Sequence, residues 1–256
     1  MPTQRTIVIT GASAGIGAAL ARQLGSTGHR LVLAARSRGK LEEVAREAGN
    51  GARAVVTDVT RRDEVTRLRD EAIGAFGHVD VWVNNAGQGI DKRVLDLTDE
   101  DFDEMMKVNV KSALYGMQAI VPHFQQRNAG HLINVSSFLG RVPLATNRSA
   151  YNAAKAALNA LTANLRVDLR ATYPGIRVSL VMPSVVTTEF AKNVIGSSAP
   201  SPSRSPIESQ TPEEVAAIMA ELIEQPRAEI FTNPAAPALA KRYLDDVGAF
   251  EEGAAR

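Results

Sequence analysis

Cysteine is absent from this chain and histidine is scarce. The first absence excludes disulfides, thiolate metal sites and cysteine nucleophiles together. His29, His78, His123 and His131 lie far apart, and no pair has the spacing of a helical metal site, so no metal is expected. Neither sign of charge dominates: 29 Lys and Arg stand against 28 Asp and Glu. Nothing in that balance points to nucleic acid as a partner. Long apolar runs are lacking too. The uncharged stretch from Thr6 to Ala21 is glycine-rich and shorter than the ~20 apolar residues a membrane span requires. It reads as a strand followed by a glycine turn, not as a secretory signal. A cytoplasmic protein without a membrane partner is expected.

What is present is a repeated alternation. Short β-rich runs occur at 5–10, 30–35, 52–58, 79–85, 130–137, 176–183 and 229–232. Helical patterns fill 15–25, 38–48, 61–76, 99–127, 150–172 and 212–225. Several strands lack polar alternation, as strands covered on both faces do. The pattern predicts an α/β fold: a doubly wound parallel sheet with helices on both faces. A length of 256 residues with 45% apolar content suits a single domain over 1–256. Residues 192–210, KNVIGSSAPSPSRSPIESQ, are rich in Ser and Pro and too long for an ordinary connection. They admit two readings, a surface loop or a substrate lid at about 189–211. Thr211-Pro212-Glu213-Glu214 then starts a helix, with a capping Thr and a Pro in the first helical position. The Ala- and Pro-rich tail after Thr232 reads either as a pocket cover or as an interface.

The first strand runs into TGASAGIG, residues 10–17. Gly11, Gly15 and Gly17 fall where strand becomes helix. Glycine lets the backbone turn tightly and approach a ligand, and a helix N-terminus directs free N–H groups at an anion such as a pyrophosphate. Inside a βαβ unit this points to a dinucleotide. An NAD site has an Asp or Glu about 20 residues further on, for the ribose 2′-OH. Here the chain has Ala34-Ala35-Arg36-Ser37-Arg38, with no carboxylate. The planar fork of Arg36 suits a 2′-phosphate, which favours NADP(H) over NAD.

YNAAK, residues 151–155, places a phenol and an ammonium on one helix face, a turn apart. It closes an ordered set: TGASAGIG (10–17), TDV (57–59), NNAG (84–87), Asn109 within MMKVNVKSALYG, NVSS (134–137), YNAAK (151–155) and MPSVVTT (182–188). On these motifs the chain resembles the short-chain dehydrogenase/reductase family over about residues 5–232. The resemblance implies a single-domain Rossmann-type fold and NADP(H)-dependent carbonyl reduction. It implies Tyr151 as acid/base, Lys155 as its partner and ribose ligand, and Ser137 as donor to the substrate oxygen. A phenol has pKa about 10, and a cation beside it is expected to lower that value toward neutral. Asn109 is implied to hold a water linking Lys155 to solvent; taken alone, it reads equally as a buried amide satisfied by backbone. The implied cofactor contacts at the glycine turn are Gly11, Ser13, Ala14, Gly15, Ile16 and Gly17. Around the adenosine they are Arg36, Asp58, Val59, Asn85, Ala86 and Gly87, with Asp58 reading equally as a helix cap. On the nicotinamide side they are Tyr151, Lys155, Pro183, Val186 and Thr188.

The chain departs from the pattern twice. Ser137 stands one residue further from Tyr151 than is usual, an insertion placed in RVPLATNRSA; Ser136 is then expected to be structural. Pro183-Ser184 replaces the usual Pro-Gly. The pocket is expected to be lined by Phe138, Leu144, Ser184, Val185 and Phe190, with Gln88 and Ile90. Its apolar character predicts a neutral, fairly hydrophobic ketone or secondary alcohol as substrate. Apolar faces with Met105, Met106, Val110, Leu114 and Ile120, and with Ala153, Ala157, Leu161 and Leu165, predict a homo-oligomer, a tetramer or dimer. The alternatives are an NAD-dependent alcohol dehydrogenase and a dinucleotide-binding sensor that does no chemistry.

Overall fold

Seven parallel strands form one sheet in the computed structural model, which describes residues 3–49, 51–188, 194–196 and 207–254. The strands are β1 (Thr6–Thr10), β2 (Arg30–Ala35), β3 (Arg53–Val56), β4 (Val81–Asn84), β5 (Gly130–Val135), β6 (Ile176–Met182) and β7 (Glu229–Phe231). Their order is β3-β2-β1-β4-β5-β6-β7, as a doubly wound fold requires. Residues of β1 alternate between two cores. Ile7 and Ile9 face α1 (Gly15–Ser26), α2 (Arg38–Ala48) and α7 (Pro212–Glu224). Val8 faces α3 (Arg62–Phe76), α5 (Ser112–Arg127) and α6 (Ser149–Arg170). Both faces being covered, the strands need no polar side, which is why they read as continuous apolar runs.

The chain order reverses direction between β1 and β4, leaving a crevice beyond their C-terminal ends. Every motif of the expected site lies at that edge. The run expected as one helix over 99–127 is divided: α4 (Asp99–Met106) passes through a π-helical turn, Lys107–Lys111, into α5. Such a turn widens the backbone register, and Asn109 sits at its middle. Thr98 and Asp101 close a capping box on α4, and Thr211 and Glu214 close one on α7 with Pro212 at its start.

The tail forms α8 (Ala236–Asp245) and α9 (Val247–Ala254). Ala236 and Ala240 pack with Phe138, Val142 and Ile207 in a small separate core. Met105, Val110 and Ile120, expected on an intersubunit face, are buried within the protomer; Met105 and Val110 pack on Ala150 and Ala154 of α6. Most of the expected lid, Phe190 included, lies outside the described residues. Two of its described residues form bridges: Ile195 pairs with Ile90, and Gln210 with Val186. Among the described residues no helix is long and apolar enough to cross a membrane.

Candidate active site

The glycine turn is built for close approach. Gly11 and Gly15 have φ of 66° and 55°, in the left-handed region that a side chain disfavours. Gly17 is constrained by space instead: a Cβ there would stand 2.5 Å from Gly11 O and 2.6 Å from Asn85 Nδ2. Helix α1 begins after Ala14, which offers no side-chain cap, and its first turn has no acid. The turn N–H groups and the positive end of the helix dipole therefore face the crevice without an internal anion, which suits a pyrophosphate. Ser13 and Ile16 line the same turn, and Ile16 packs on the core beneath it.

The NNAG segment clamps this turn from β4. Asn85 Nδ2 donates to Thr10 O at 2.9 Å and Gly11 O at 3.2 Å. The backbone N–H groups of Asn85 and Ala86 donate to Thr10 Oγ1 at 3.0 and 3.2 Å. Asn85 thus shapes the phosphate turn through its side chain, and Thr10 is a supporting residue that the motif alone did not single out.

At the end of β2, Arg36 is exposed. Asp58 feels the Arg36 charge, and its Oδ1 accepts from Thr60 N at 2.9 Å and Thr60 Oγ1 at 2.8 Å. Partial burial works against its charge, but the Thr60 bonds and the Arg36 and Lys107 cations hold its carboxyl below the usual range. Asp58 therefore caps a local turn ahead of α3, and Val59 packs against the core beside it.

The catalytic candidates converge at the ends of β4 and β5. Ser137 follows β5, is 6% exposed, and its hydroxyl is near enough to the Tyr151 hydroxyl to favour its ionisation. Lys155 is 3% exposed, and its Nζ donates to Val135 O at 3.0 Å while lying 5.6 Å from the centre of the Tyr151 ring. Asn109 is 1% exposed; it accepts from Gln88 N at 3.2 Å and donates to Gln88 O at 2.9 Å and Met105 O at 3.1 Å. A Cβ on Gly87 would stand 2.9 Å from Asn109 Oδ1 and 3.5 Å from Lys155 Nζ. Gly87 therefore marks the point where the π turn, the β4 loop and α6 meet. Asn109 is satisfied by backbone, as its plainer reading held, and it lies next to the lysine.

The expected lowering of the phenol by the lysine is not what the structure shows. Burial pushes the Tyr151 hydroxyl up to about 12, against the nearby Ser137 hydroxyl and the Arg148 charge, which favour ionisation. Burial also pushes the Lys155 ammonium down to about 8. Loss of water penalises the charged form of each group more than the neighbour compensates.

Phe138 is corrected from pocket wall to core: it is 4% exposed and meets Phe231 edge-on at 6.1 Å. Leu144 packs against the same cluster. Pro183 is buried, its carbonyl accepting from Phe138 N at 2.8 Å. After β6, Ser184 is half-buried and Val185 exposed, and Thr188 lies over Gly15, 3.3 Å from the position of a Cβ there. Val186 packs on the core beside Ile16. Ser136 is structural, as expected: its hydroxyl reaches Lys155 O at 3.2 Å and Asn159 Oδ1 at 2.5 Å. Asn159 was missed; the available signal was an amide on the inward face of α6, one turn past Lys155.

Comparison with known proteins agrees with this geometry. The short chain dehydrogenase family model matches residues 5–197. An uncharacterized oxidoreductase of Staphylococcus epidermidis is 37% identical over 189 residues, 74% of this chain and 81% of that protein. A short-chain dehydrogenase/reductase from Burkholderia phymatum, solved with NAD, superposes with a TM-score of 0.85 at 29% identity, over 96% of this chain and 95% of its own. An alcohol dehydrogenase from Thermococcus sibiricus, solved with 5-hydroxy-NADP, gives 0.77 at 29% identity, over 89% of this chain and 95% of its own. This chain belongs to the short-chain dehydrogenase/reductase family and is an oxidoreductase that uses a nicotinamide dinucleotide.

Proposed function

We propose that this protein is an NADP(H)-dependent carbonyl reductase acting on neutral, fairly hydrophobic ketones and, in reverse, on secondary alcohols. The observation behind the reaction class is the meeting of Ser137, Tyr151 and Lys155 with Gly87 and Asn109 at one sheet edge. When bound, the reduced nicotinamide supplies a hydride. Ser137 would donate to the carbonyl oxygen, and Tyr151 would give it a proton. Burial keeps Tyr151 protonated at neutral pH, the state that reduction requires. Lys155 and Asn109 would hold the proton path behind the phenol, and Lys155 would also hold ribose hydroxyls.

Arg36 supports the NADP(H) preference. It is exposed where a ribose-binding acid would stand, and the nearby Asp58 is engaged by Thr60. A neutral substrate is supported by the commitments of the nearby cations. Arg141 pairs with Glu229 at 2.6 Å and Lys92 with Asp101 at 2.6 Å, while Arg148 donates to Ile90 O at 2.9 Å. Phe102 and Val167, exposed on α4 and α6, support association into a homo-oligomer, a tetramer or dimer, in the cytoplasm. A light-scattering mass near that of the 27.4 kDa protomer would reject the oligomer.

The test is consumption of NADPH and NADH against a panel of aryl and alkyl ketones, with Tyr151→Phe alongside. NADPH-dependent turnover that Tyr151→Phe reduces by about 1,000-fold or more is expected. Turnover confined to keto acids would overturn the substrate class. Tight NADPH binding with no turnover on any carbonyl would favour the sensor reading.

A further inference from the structure

We propose that Asn159 is a positioning residue that fixes the Ser137 hydroxyl relative to Tyr151 by clamping both ends of the turn that contains Ser137. The proposal rests on Ser137 acting on the substrate oxygen.

The turn runs from Ser136 to Gly140, and Ser137 caps its short helical part, Phe138–Gly140. Asn159 lies one turn after Lys155 on α6 and is 7% exposed. Its Oδ1 accepts from Ser136 Oγ at 2.5 Å, at the start of the turn. Its Nδ2 donates to Gly140 O at 2.9 Å, at the end. The amide orientation is fixed by chemistry, because a carbonyl can only accept and therefore faces the Nδ2. The turn is also seated directly on the helix that bears the acid/base pair. Ser136 Oγ shares its proton with Lys155 O at 3.2 Å, and a Cβ on Gly140 would stand 2.7 Å from Lys155 C. One amide thus sets where the β5 turn docks on α6, and with it the spacing between Ser137 and Tyr151.

Removing the amide would leave Gly140 O without this partner and Ser136 with only its longer bond. Ser137 would then sample a wider range of positions. A displacement on the order of 1 Å can cost up to about 100-fold in rate, and a partial loss of order about tenfold is expected here. The experiment is a double-mutant cycle with Asn159→Ala and Ser137→Ala, read as kcat and KM on the best ketone of the panel, with melting curves for each protein. Asn159→Ala is expected to lower kcat about tenfold in the parent and less than twofold in the Ser137→Ala background, with KM for NADPH unchanged in both.

An equal loss in both backgrounds overturns the proposal, since a general weakening of the fold is additive with the loss of Ser137. Unchanged kcat in Asn159→Ala overturns it too. If Asn159→Ala fails to fold, Ser136→Ala removes one arm of the clamp, and the same non-additivity with Ser137→Ala is expected; additivity again overturns the proposal. A Ser137→Ala protein as active as the parent would sink the catalytic assignment of Ser137, a failure separate from additivity in an otherwise responsive cycle.

Discussion

Replacement of Lys155 by Met should stabilise the cofactor-free protein while abolishing its activity. Lys155 is 3% exposed, and its ammonium donates to Val135 O at 3.0 Å. Burial lowers its pKa from 10.5 to about 8. At about 1.4 kcal/mol per pH unit, that difference makes the charged form cost about 3 kcal/mol of stability at neutral pH. Met retains most of the apolar stem and removes the charge. Loss of the charge-assisted Val135 bond returns about 2 kcal/mol, leaving a net gain on the order of 1 kcal/mol, or roughly 2–4 °C in Tm for a chain of this size. The pH dependence follows from the same numbers. Below about pH 8 the lysine is protonated in both folded and unfolded chains, and the full penalty applies. Between about 8 and 10.5 the unfolded chain binds the proton more tightly than the folded one, so parent stability rises with pH. The advantage of Lys155→Met should shrink over that interval. Tyr151, raised from 10.0 to about 12, acts in the opposite sense only above about 10, so measurements ending there isolate the lysine. Denaturant unfolding of parent and variant across this range is the assay. A variant no more stable than the parent at neutral pH, or a difference between them that does not vary with pH, refutes the reasoning.

Three further outcomes follow from close contacts and charges. Gly17→Ala would bring a methyl to 2.5 Å from Gly11 O and 2.6 Å from Asn85 Nδ2, both parts of the phosphate turn. Calorimetry should show NADPH affinity falling on the order of 100-fold, about 2.7 kcal/mol, with the far-ultraviolet circular dichroism retained. Gly116→Ala would press a methyl onto Asn84 Oδ1 and to 2.8 Å from Trp82 Nε1, breaking their 2.8 Å hydrogen bond. A loss of about 3 kcal/mol in denaturant unfolding is expected, with the cofactor preference unchanged. Arg36→Ala should weaken NADPH by about 1.5–3 kcal/mol, the worth of a charge-assisted hydrogen bond, and leave NADH within a factor of about two. Equal weakening of both cofactors would remove Arg36 from the 2′-phosphate assignment.

The sheet was legible in the sequence because a parallel strand covered on both faces must be apolar throughout, and such runs cannot be disguised. The strand expected at 30–35 is observed as Arg30–Ala35, and the helix expected at 38–48 as Arg38–Ala48. The glycine turn was legible for a related reason. Positive φ at Gly11 and Gly15 and the crowding at Gly17 leave few other residues possible. The π turn at Lys107–Lys111 was not legible, because an inserted register shift changes backbone hydrogen bonding without breaking the apolar pattern. Phe138 was misread because its side chain follows from where α8 packs, and an Ala- and Pro-rich tail announces no partner.

Asn159 and the paired shifts of Tyr151 and Lys155 escaped for one shared reason. Spacing along a helix says which groups share a face, and YNAAK states that plainly. It does not say how much water reaches that face. The structure places both groups where desolvation dominates, so burial raises the pKa of the phenol and lowers that of the ammonium. Burial also favours a clamp. Ser136 is buried and Gly140 half-buried where the β5 turn meets α6, and Asn159 supplies an acceptor to the hydroxyl of one and a donor to the carbonyl of the other. The motif therefore identifies the chemistry, while the residues that keep the chemistry in place are set by burial, which only the assembled fold decides.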